Sequence, residues 1–120
     1  MRIHAVTLDQ QGKNQQLEQW AHVSHIVDRL HLRFPNKNAA DVYRITDELL
    51  KRGAKRDRLV VHDRLDIALL LDVPTVQLGY RSPPVAVVRR RFPQLTLGVS
   101  VHSVHEAVLA SQQGADYVLY

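Results

Sequence analysis

Residues 95–120 read LTLGVSVHSVHEAVLASQQGADYVLY and contain one complete strand–helix–strand unit. The first seven and the last five of these residues are rich in aliphatic and aromatic side chains, as is typical of strands. Between them, apolar residues recur at the three- and four-residue spacing of one helix face, and Gly114 ends the predicted helix. A strand that continues through a helix into another strand pairs with it in parallel, so this stretch predicts a parallel sheet.

The same alternation runs through the rest of the chain. Helices are predicted between the strands, and the second one has Asn38 as its N-cap and Gly53 at its end. A chain of 120 residues is too short for two independent cores, so residues 1–120 are expected to form a single domain of five βα units plus a sixth strand. The predicted strands cover residues 3–8, 29–34, 58–62, 75–78, 95–101 and 116–120.

Two parallel α/β architectures fit this order. A doubly wound, flavodoxin-like sheet uses five strands and suits a chain of this length. A TIM (β/α)8 barrel needs about 200 residues or more. The predicted strands begin roughly 23 residues apart, so eight units need roughly 180 residues, and the chain is consistent with a small barrel that lacks its last quarter or third. Composition does not distinguish the two.

The composition excludes several classes of protein. The absence of cysteine excludes a disulfide scaffold, a Cys-rich zinc site and thiol catalysis. No apolar run approaches the ~20 residues of a membrane span and no signal peptide pattern is present, so a cytoplasmic protein without membrane contact is expected. The arginines at 89–91 lack aromatic interleaving or a recognition motif; we expect them on a solvated helix face and predict no nucleic acid partner.

Polar residues collect where the predicted strands end. Ligands bind at the carboxyl ends of the strands in both architectures. Cations, imidazoles and short hydrogen-bonding side chains suit an anionic small molecule such as a phosphate ester or a carboxylate. The alternative is that these positions are polar only because strands end at water. The candidates are Asp9, Arg33, Lys37, His62, Asp63, Gln77, Ser100 and His102.

His102 has two interpretations. Period-two alternation places Gly98, Ser100 and His102 on one face of the fifth strand, and small or polar residues there favour contact with a ligand. Alternatively, His102 and Ser103 cap the helix that follows.

The other histidines predict no metal site. His22 and His25 lie three residues apart on a helix, and two imidazoles at this spacing more often lie on a solvated surface than bind a metal. His31 lies within the second strand and faces away from Leu30 and Leu32.

Taken in order along the chain, these segments resemble the thiamine phosphate synthase/TenI superfamily, whose fold is a (β/α)8 barrel. The most specific part of the resemblance is the segment GVSVHSVHEA at 98–107, and the likeness covers essentially the whole chain. It implies the barrel, here an incomplete one of five βα units plus a sixth strand. The matching segments are LHLR at 30–33, VVHDRLDIAL at 60–69, VQLG at 76–79, GVSVHSVHEA at 98–107 and GADYVLY at 114–120.

The resemblance implies one of two enzymes of thiamine biosynthesis. Thiamine phosphate synthases join a pyrimidine pyrophosphate to a thiazole phosphate and hold magnesium with two carboxylates, one after the third strand and one in the loop after the fourth. Asp63 matches the first, although His62 replaces the family's asparagine, and residues 79–82 (GYRS) contain no acid. Magnesium prefers carboxylate oxygens and is repelled by a guanidinium such as that of Arg81. The synthase is therefore the alternative.

TenI-like thiazole tautomerases lack that metal pair. They aromatise a thiazole carboxylate phosphate by moving a proton, with a histidine as the general base. The resemblance implies that cationic side chains here neutralise an anionic thiazole phosphate while others orient its ring, with no metal and no cofactor. The expected substrate-binding residues are Arg33, Lys37, His62, Asp63, Gln77, Ser100 and His102.

The family's general base follows the sixth strand in a Gly-His pair, whereas this chain ends at Tyr120. We therefore expect no catalytic residue within these 120 residues and little or no activity from them alone. Six strands of a barrel leave unpaired edges, so self-association is also expected. A non-catalytic regulatory or binding module, either a degenerate barrel or a receiver-like domain, is the alternative from another class. Receiver domains gather acids after the first strand, where only Asp9 stands.

Overall fold

The computed structural model describes residues 2–7 and 14–120. The predicted end of the first strand at Leu8, the candidate Asp9 and the turn that residues 9–12 (DQQG) predict lie outside these residues. Six strands and five α-helices alternate in the described part, as the sequence predicts. They are β1 His4–Val6, α1 Asn14–Ser24, β2 Arg29–Leu32, α2 Ala39–Lys51, β3 Leu59–His62, α3 Leu65–Leu70, β4 Thr75–Leu78, α4 Val85–Arg91, β5 Thr96–Ser100, α5 Val104–Gln112 and β6 Tyr117–Leu119, with a single 3₁₀ turn at Arg56–Arg58.

All six strands are parallel, and they pair in the order of the sequence, β1-β2-β3-β4-β5-β6. A doubly wound sheet reverses direction at a switch point, so its strand order departs from the sequence order. A barrel adds each new strand beside the previous one. The observed order therefore rules out the flavodoxin-like alternative and confirms an incomplete (β/α)8 barrel.

The two faces of the sheet differ in chemistry. Every second residue of β2 and β3 points toward the helices and is fully buried in the apolar core. These residues are Leu30, Leu32, Leu59 and Val61. His31 is also buried but faces away from Leu30 and Leu32, as its position in the strand predicts. The apolar core thus lies between sheet and helices, and the inner face of the half-barrel carries polar side chains.

Local capping interactions fix the helix ends. The Asn38 side chain accepts a hydrogen bond from the Asp41 amide at 2.9 Å, which confirms it as the N-cap of α2. Gly53 follows that helix with φ of +99°, in the left-handed region that glycine enters without strain. At α5, the Ser103 hydroxyl accepts from the Glu106 amide at 3.1 Å.

Several predicted boundaries differ from the observed ones. The pattern predicts a second strand over 29–34, but β2 ends at Leu32, where its pairing with Val61 of β3 also ends. Phe34 instead packs against Trp20 of α1, with ring centroids 5.5 Å apart. The apolar pattern predicts a short third helix over residues 67–71, whereas α3 begins two residues earlier, at Leu65. Apolar periodicity marks the buried residues, whereas hydrogen bonding fixes the ends.

The run of arginines at the end of α4 is only partly solvated. Arg90 and Arg91 are exposed as predicted. Arg89 is half-buried, donates to the carbonyl oxygens of Gly114 at 2.9 Å and Leu95 at 2.8 Å, and pairs with the Asp116 carboxylate at 2.6 Å. The prediction of a solvated face is therefore wrong for Arg89, which ties α4 to the segments that flank β5 and β6. Among the described residues, no helix is long and apolar enough to cross a membrane.

Within the described residues, β1 pairs only with β2 and β6 only with β5. Val118 and Leu119 of β6 are partly exposed beside that free edge. Unpaired edges with apolar side chains offer a template for another strand. We therefore propose that the 120-residue chain, studied by itself, self-associates through these edges.

Light scattering tests this proposal. We expect the 120-residue chain to form a dimer or a larger species, and Val118→Lys to shift it toward the 13.7 kDa monomer because a charge opposes edge pairing. Leu70→Lys, on the exposed surface of α3, is the matched control and should leave the mass unchanged. A wild-type chain that is monomeric at all concentrations would contradict the proposal.

Candidate functional site

The parallel strands bring their carboxyl ends to one edge, where the loops enclose a cavity of about 550 Å³. Six of the seven predicted substrate-binding residues line it. A smaller cavity of about 200 Å³ adjoins it, shares His62 and Asp63, and is lined by the seventh, Lys37. The six in the larger cavity are Arg33, His62, Asp63, Gln77, Ser100 and His102. Their roles in binding a substrate stay predictions.

Asp63 is held rigidly at the exit of β3. Its φ is +62°, a left-handed conformation that short polar residues tolerate better than most, and its amide donates to the Gln77 carbonyl at 2.9 Å. The Ser82 hydroxyl donates to Asp63 Oδ1 at 2.8 Å and accepts from the Gly79 amide at 2.9 Å. The loop after β4 therefore fixes the Asp63 carboxylate through Ser82.

Two guanidinium groups face the cavity from opposite loops. Arg33 follows β2 and Arg81 follows β4, and both side chains are exposed. The Arg81 guanidinium carbon lies 5.6 Å from the centre of the Tyr80 ring, at a distance that permits a cation–π contact. Arg81 and Tyr80 line the cavity but were not among the predicted substrate-binding residues. The sequence feature that could have identified these two residues is their position in the loop that follows a strand end.

Inner-face residues of four adjacent strands form a layer beneath the cavity. His62 pairs in register with Gln77, Gln77 with Gly98, and Gly98 with Tyr117. Gln77 Nε2 donates to the Ser100 hydroxyl at 3.0 Å, while Gln77 Oε1 and the Tyr117 hydroxyl are buried without a hydrogen-bond partner among the described residues. Burial raises the pKa of Tyr117, which keeps its phenol neutral.

Gly98 is the position in this layer where a side chain does not fit. A Cβ placed there would overlap both the Gln77 carboxamide oxygen and the Tyr117 ring. The residue is thus small because its neighbours on both sides fill the inner face.

The structure separates the two interpretations of His102. Ser103 is the residue whose side chain caps α5, and the His102 backbone amide donates to the Glu106 carboxylate at 2.7 Å. The His102 side chain is exposed and lines the cavity beside Ser100. Helix capping therefore uses the His102 backbone and leaves its imidazole available to a ligand.

The donor set does not fit the two-carboxylate magnesium site of the synthases. Asp63 is held by the Ser82 hydroxyl, and the loop after β4 adds the Arg81 cation in place of an acid. Glu106 also lines the cavity, but its carboxylate accepts from the His102 amide. No group of three or more metal-ligating side chains was found among residues 2–7 and 14–120.

Three imidazoles form a continuous hydrogen-bonded row along the inner face, and the sequence did not reveal it. His4 Nδ1 lies 2.9 Å from His31 Nε2, and His31 Nδ1 lies 2.7 Å from His62 Nε2. We call these residues the histidine row. Each histidine lies on the inner face of its strand. The sequence feature that could have predicted the row is a histidine at an inward position in each of three successive strands.

The inner part of the row is uncharged at neutral pH. Burial, reinforced by the neighbouring His62, His4 and Arg29, lowers the pKa of His31 from 6.5 to about 4. Burial and then Arg33 lower the pKa of His62 from 6.5 to about 4. Each ring therefore has one N–H donor and one acceptor nitrogen above that pH.

Together, the sequentially ordered parallel sheet and the cavity at its carboxyl edge define a βα-barrel protein with two arginines lining that cavity. The chain belongs to the thiamine monophosphate synthase (TMP-TENI) family, whose model matches residues 3–120. Thiamine-phosphate synthase from Methanospirillum hungatei is 41% identical over 91 residues, covering 74% of this chain and 44% of that protein. The one from Pyrococcus abyssi is 36% identical over 90 residues, with the same coverage of 74% and 44%.

Solved structures agree on the fold. Thiamine phosphate pyrophosphorylase from Pyrococcus furiosus superposes with a TM-score of 0.78 and 28% identity, covering 98% of this chain and 58% of that chain. The one from Bacteroides thetaiotaomicron gives a TM-score of 0.75 at 23% identity, with coverage of 98% and 56%. The chain thus spans about half the length of the relatives that it matches.

Replacing Gly98 tests the inner-face layer. We expect Gly98→Ala to lower the free energy of unfolding by about 1 to 3 kcal/mol, because the new methyl group overlaps Gln77 and Tyr117. Tyr117→Ala in the same chain should recover part of that loss, as a double-mutant cycle in urea denaturation would measure. Gly79→Ala is the control, since its Cβ would approach no atom closer than 3.7 Å. Equal effects of the two glycine substitutions would contradict this packing.

The depressed pKa values predict acid-sensitive stability. The unfolded chain binds protons at His31 and His62 near pH 6.5 and the folded chain only near pH 4, so their contribution is complete above pH 6.5 and is lost as the pH falls toward 4. We expect a loss on the order of 3 kcal/mol per ring in urea denaturation. His31→Leu should flatten this dependence, and His105→Gln, on exposed α5, should not. An unchanged slope in His31→Leu would refute the assignment.

Proposed function

We propose that the protein containing this chain is a thiazole tautomerase-like isomerase of thiamine biosynthesis that binds an anionic thiazole phosphate at the carboxyl edge of the sheet. The observation that carries this proposal is the composition of the loop after β4. This loop has Arg81 and Ser82 where the resemblance to the synthases predicts a second carboxylate, and the Ser82 hydroxyl donates a hydrogen bond to the Asp63 carboxylate. A site of this composition attracts a phosphate or carboxylate directly, without a divalent cation between them.

The same residues suit proton transfer on a bound anion. Arg33 and Arg81, together with Lys37 in the adjoining cavity, would neutralise the phosphate and carboxylate groups of the substrate. Gln77 and Ser100 form a hydrogen-bonded pair that would orient the ring. Fixed positive charge also stabilises the carbanionic character that develops when a carbon-bound proton leaves.

The names of the relatives favour the alternative, thiamine phosphate synthase. Relatives with 41% and 36% identity carry that name, and none of the relatives compared above is named a tautomerase. The two activities share the thiazole phosphate, so the site is expected to bind that group under either proposal. They differ in whether magnesium and a pyrophosphate are needed.

The relatives are about twice as long as this chain. We therefore expect the activity of the whole protein to need residues beyond these 120. The resemblance places the general base after β6, so we assign no catalytic base within this chain. We expect the 120 residues to bind the thiazole ligand and to show little or no turnover by themselves. A cytoplasmic location remains part of the proposal.

Calorimetric titration of the chain with thiazole carboxylate phosphate, with and without Mg²⁺, separates the two activities. We expect binding that does not depend on Mg²⁺ and that weakens by about tenfold or more in Arg33→Ala, because one charge-assisted hydrogen bond to the anion is lost. Arg90→Ala is the matched control, because Arg90 is an exposed arginine of α4 that lines neither cavity. This variant should bind like the wild type.

Two results would count against the tautomerase. Inorganic pyrophosphate that binds only with Mg²⁺ would favour the synthase. Failure to bind the thiazole ligand under either condition would contradict both enzyme proposals and favour a non-catalytic module.

A further inference from the structure

We propose that His4, His31 and His62 form a proton relay that carries a proton between the outer edge of β1 and the ligand cavity. The relay depends on the three rings and not on which thiazole reaction the protein performs. His4 is exposed among the described residues, His31 is 1% exposed, and His62 lines both cavities. The row therefore crosses the inner face from solvent to the site through one fully buried ring.

The geometry couples the tautomers of the three rings. A neutral imidazole donates through one nitrogen and accepts through the other, and each N···N contact holds one proton. If His4 carries its proton on Nδ1, it donates to His31 Nε2. His31 then carries its proton on Nδ1 and donates to His62 Nε2, which leaves the His62 proton on Nδ1. If both hydrogen bonds reverse, all three protons lie on Nε2.

A transfer through the row balances with one proton entering and one leaving. A proton binds His4 Nε2, and the His4 Nδ1 proton moves to His31 Nε2. The His31 Nδ1 proton moves to His62 Nε2, and the His62 Nδ1 proton is released. Each step breaks one N–H bond and forms another, and the row ends with every proton on Nε2. The reverse sequence resets the row and takes one proton from the cavity side.

The cavity end of the row is the nitrogen that remains free. His62 Nε2 is used by His31, whereas His62 Nδ1 makes no hydrogen bond to any residue in the described part of the chain. That nitrogen is thus a donor in one state of the row and an acceptor in the other. A donor favours a bound anion, and an acceptor favours removal of a proton from a ligand.

The charges around the row favour a neutral interior. Arg29 lies near His31 and Arg33 near His62, and both disfavour a positive imidazole there. At the outer end, the Asp28 carboxylate accepts from the Ile3 amide at 2.6 Å and interacts electrostatically with His4.

Arg2 is another charged group near the outer end of the row. It interacts electrostatically with the Asp28 carboxylate, as His4 does, and both lower the pKa of Asp28. Burial and the neighbouring arginines oppose the charging of His31 and His62 at neutral pH. A charged His4 has a proton on Nδ1 and must donate to His31, so it fixes the His62 proton on Nδ1.

Nitrogen-15 NMR of the imidazole rings tests the relay in the ligand-free chain. Between pH 8 and pH 5, we expect the ratio of Nδ1–H to Nε2–H tautomers of His62 to rise by about tenfold while His62 stays neutral, because a charged donor at His4 strengthens one direction of the row. Ring-to-ring couplings across both N···N contacts should be observed in the same spectra.

The variants separate transmission along the row from a direct effect of acid on His62. His31→Leu removes the middle ring, and His4→Gln removes the outer ring, which is exposed, so the test does not depend on the folding of His31→Leu. Both should abolish the response of His62. His105→Gln, on exposed α5, should preserve it. The relay is overturned if His62 keeps its tautomer ratio while His4 becomes charged, or if its response persists in His4→Gln.

Discussion

Parallel pairing of each strand with the next is the constraint on which the rest of the structure depends. It requires a helical return after every strand, and it directs all six carboxyl ends to one edge of the sheet. Arg33, Asp63, Gln77 and His102 come from four different strand ends, and only this pairing brings them to one cavity. Ligand chemistry at that edge therefore varies with loop residues while the apolar layer under the helices stays independent of it.

The inner face follows from the same pairing but obeys a different packing rule. Strands of a curled sheet bring their inward side chains close together, so large and small residues must alternate across the register. Gly98 lies between Gln77 and Tyr117 for this reason. The buried polar groups persist because most of them pair with each other, as Gln77 does with Ser100 and His31 with His62. The inner face thus carries a polar network, and Gln77, whose carboxamide oxygen is unpaired among the described residues, also lines the cavity.

Sequence periodicity predicts the elements well because burial is local to a strand or helix. The three- and four-residue spacing locates the helices, and Asn38 and Gly53 mark the ends of α2 through chemistry within a few residues. Tertiary register is not local. The half-buried Arg89 and the histidine row depend on which residues of separate elements become neighbours, and a shift of one residue would turn His31 toward the helices. Strand spacing alone fitted both the doubly wound sheet and the barrel. The family resemblance was needed to predict the barrel, which the strand order then confirmed.

The loop after β4 shows how one hydroxyl changes the surroundings of Asp63. A carboxylate in the Arg81–Ser82 region would repel Asp63 unless a cation lay between them, so a two-acid site needs its metal to be stable. Ser82 removes that need by donating to Asp63, and Arg81 adds a positive charge at the same entrance. Asp63 is therefore hydrogen-bonded to Ser82, and the exposed side chains of Arg33 and Arg81 line the same cavity. The neutral His62 beside them adds no charge, which leaves its free nitrogen for proton exchange.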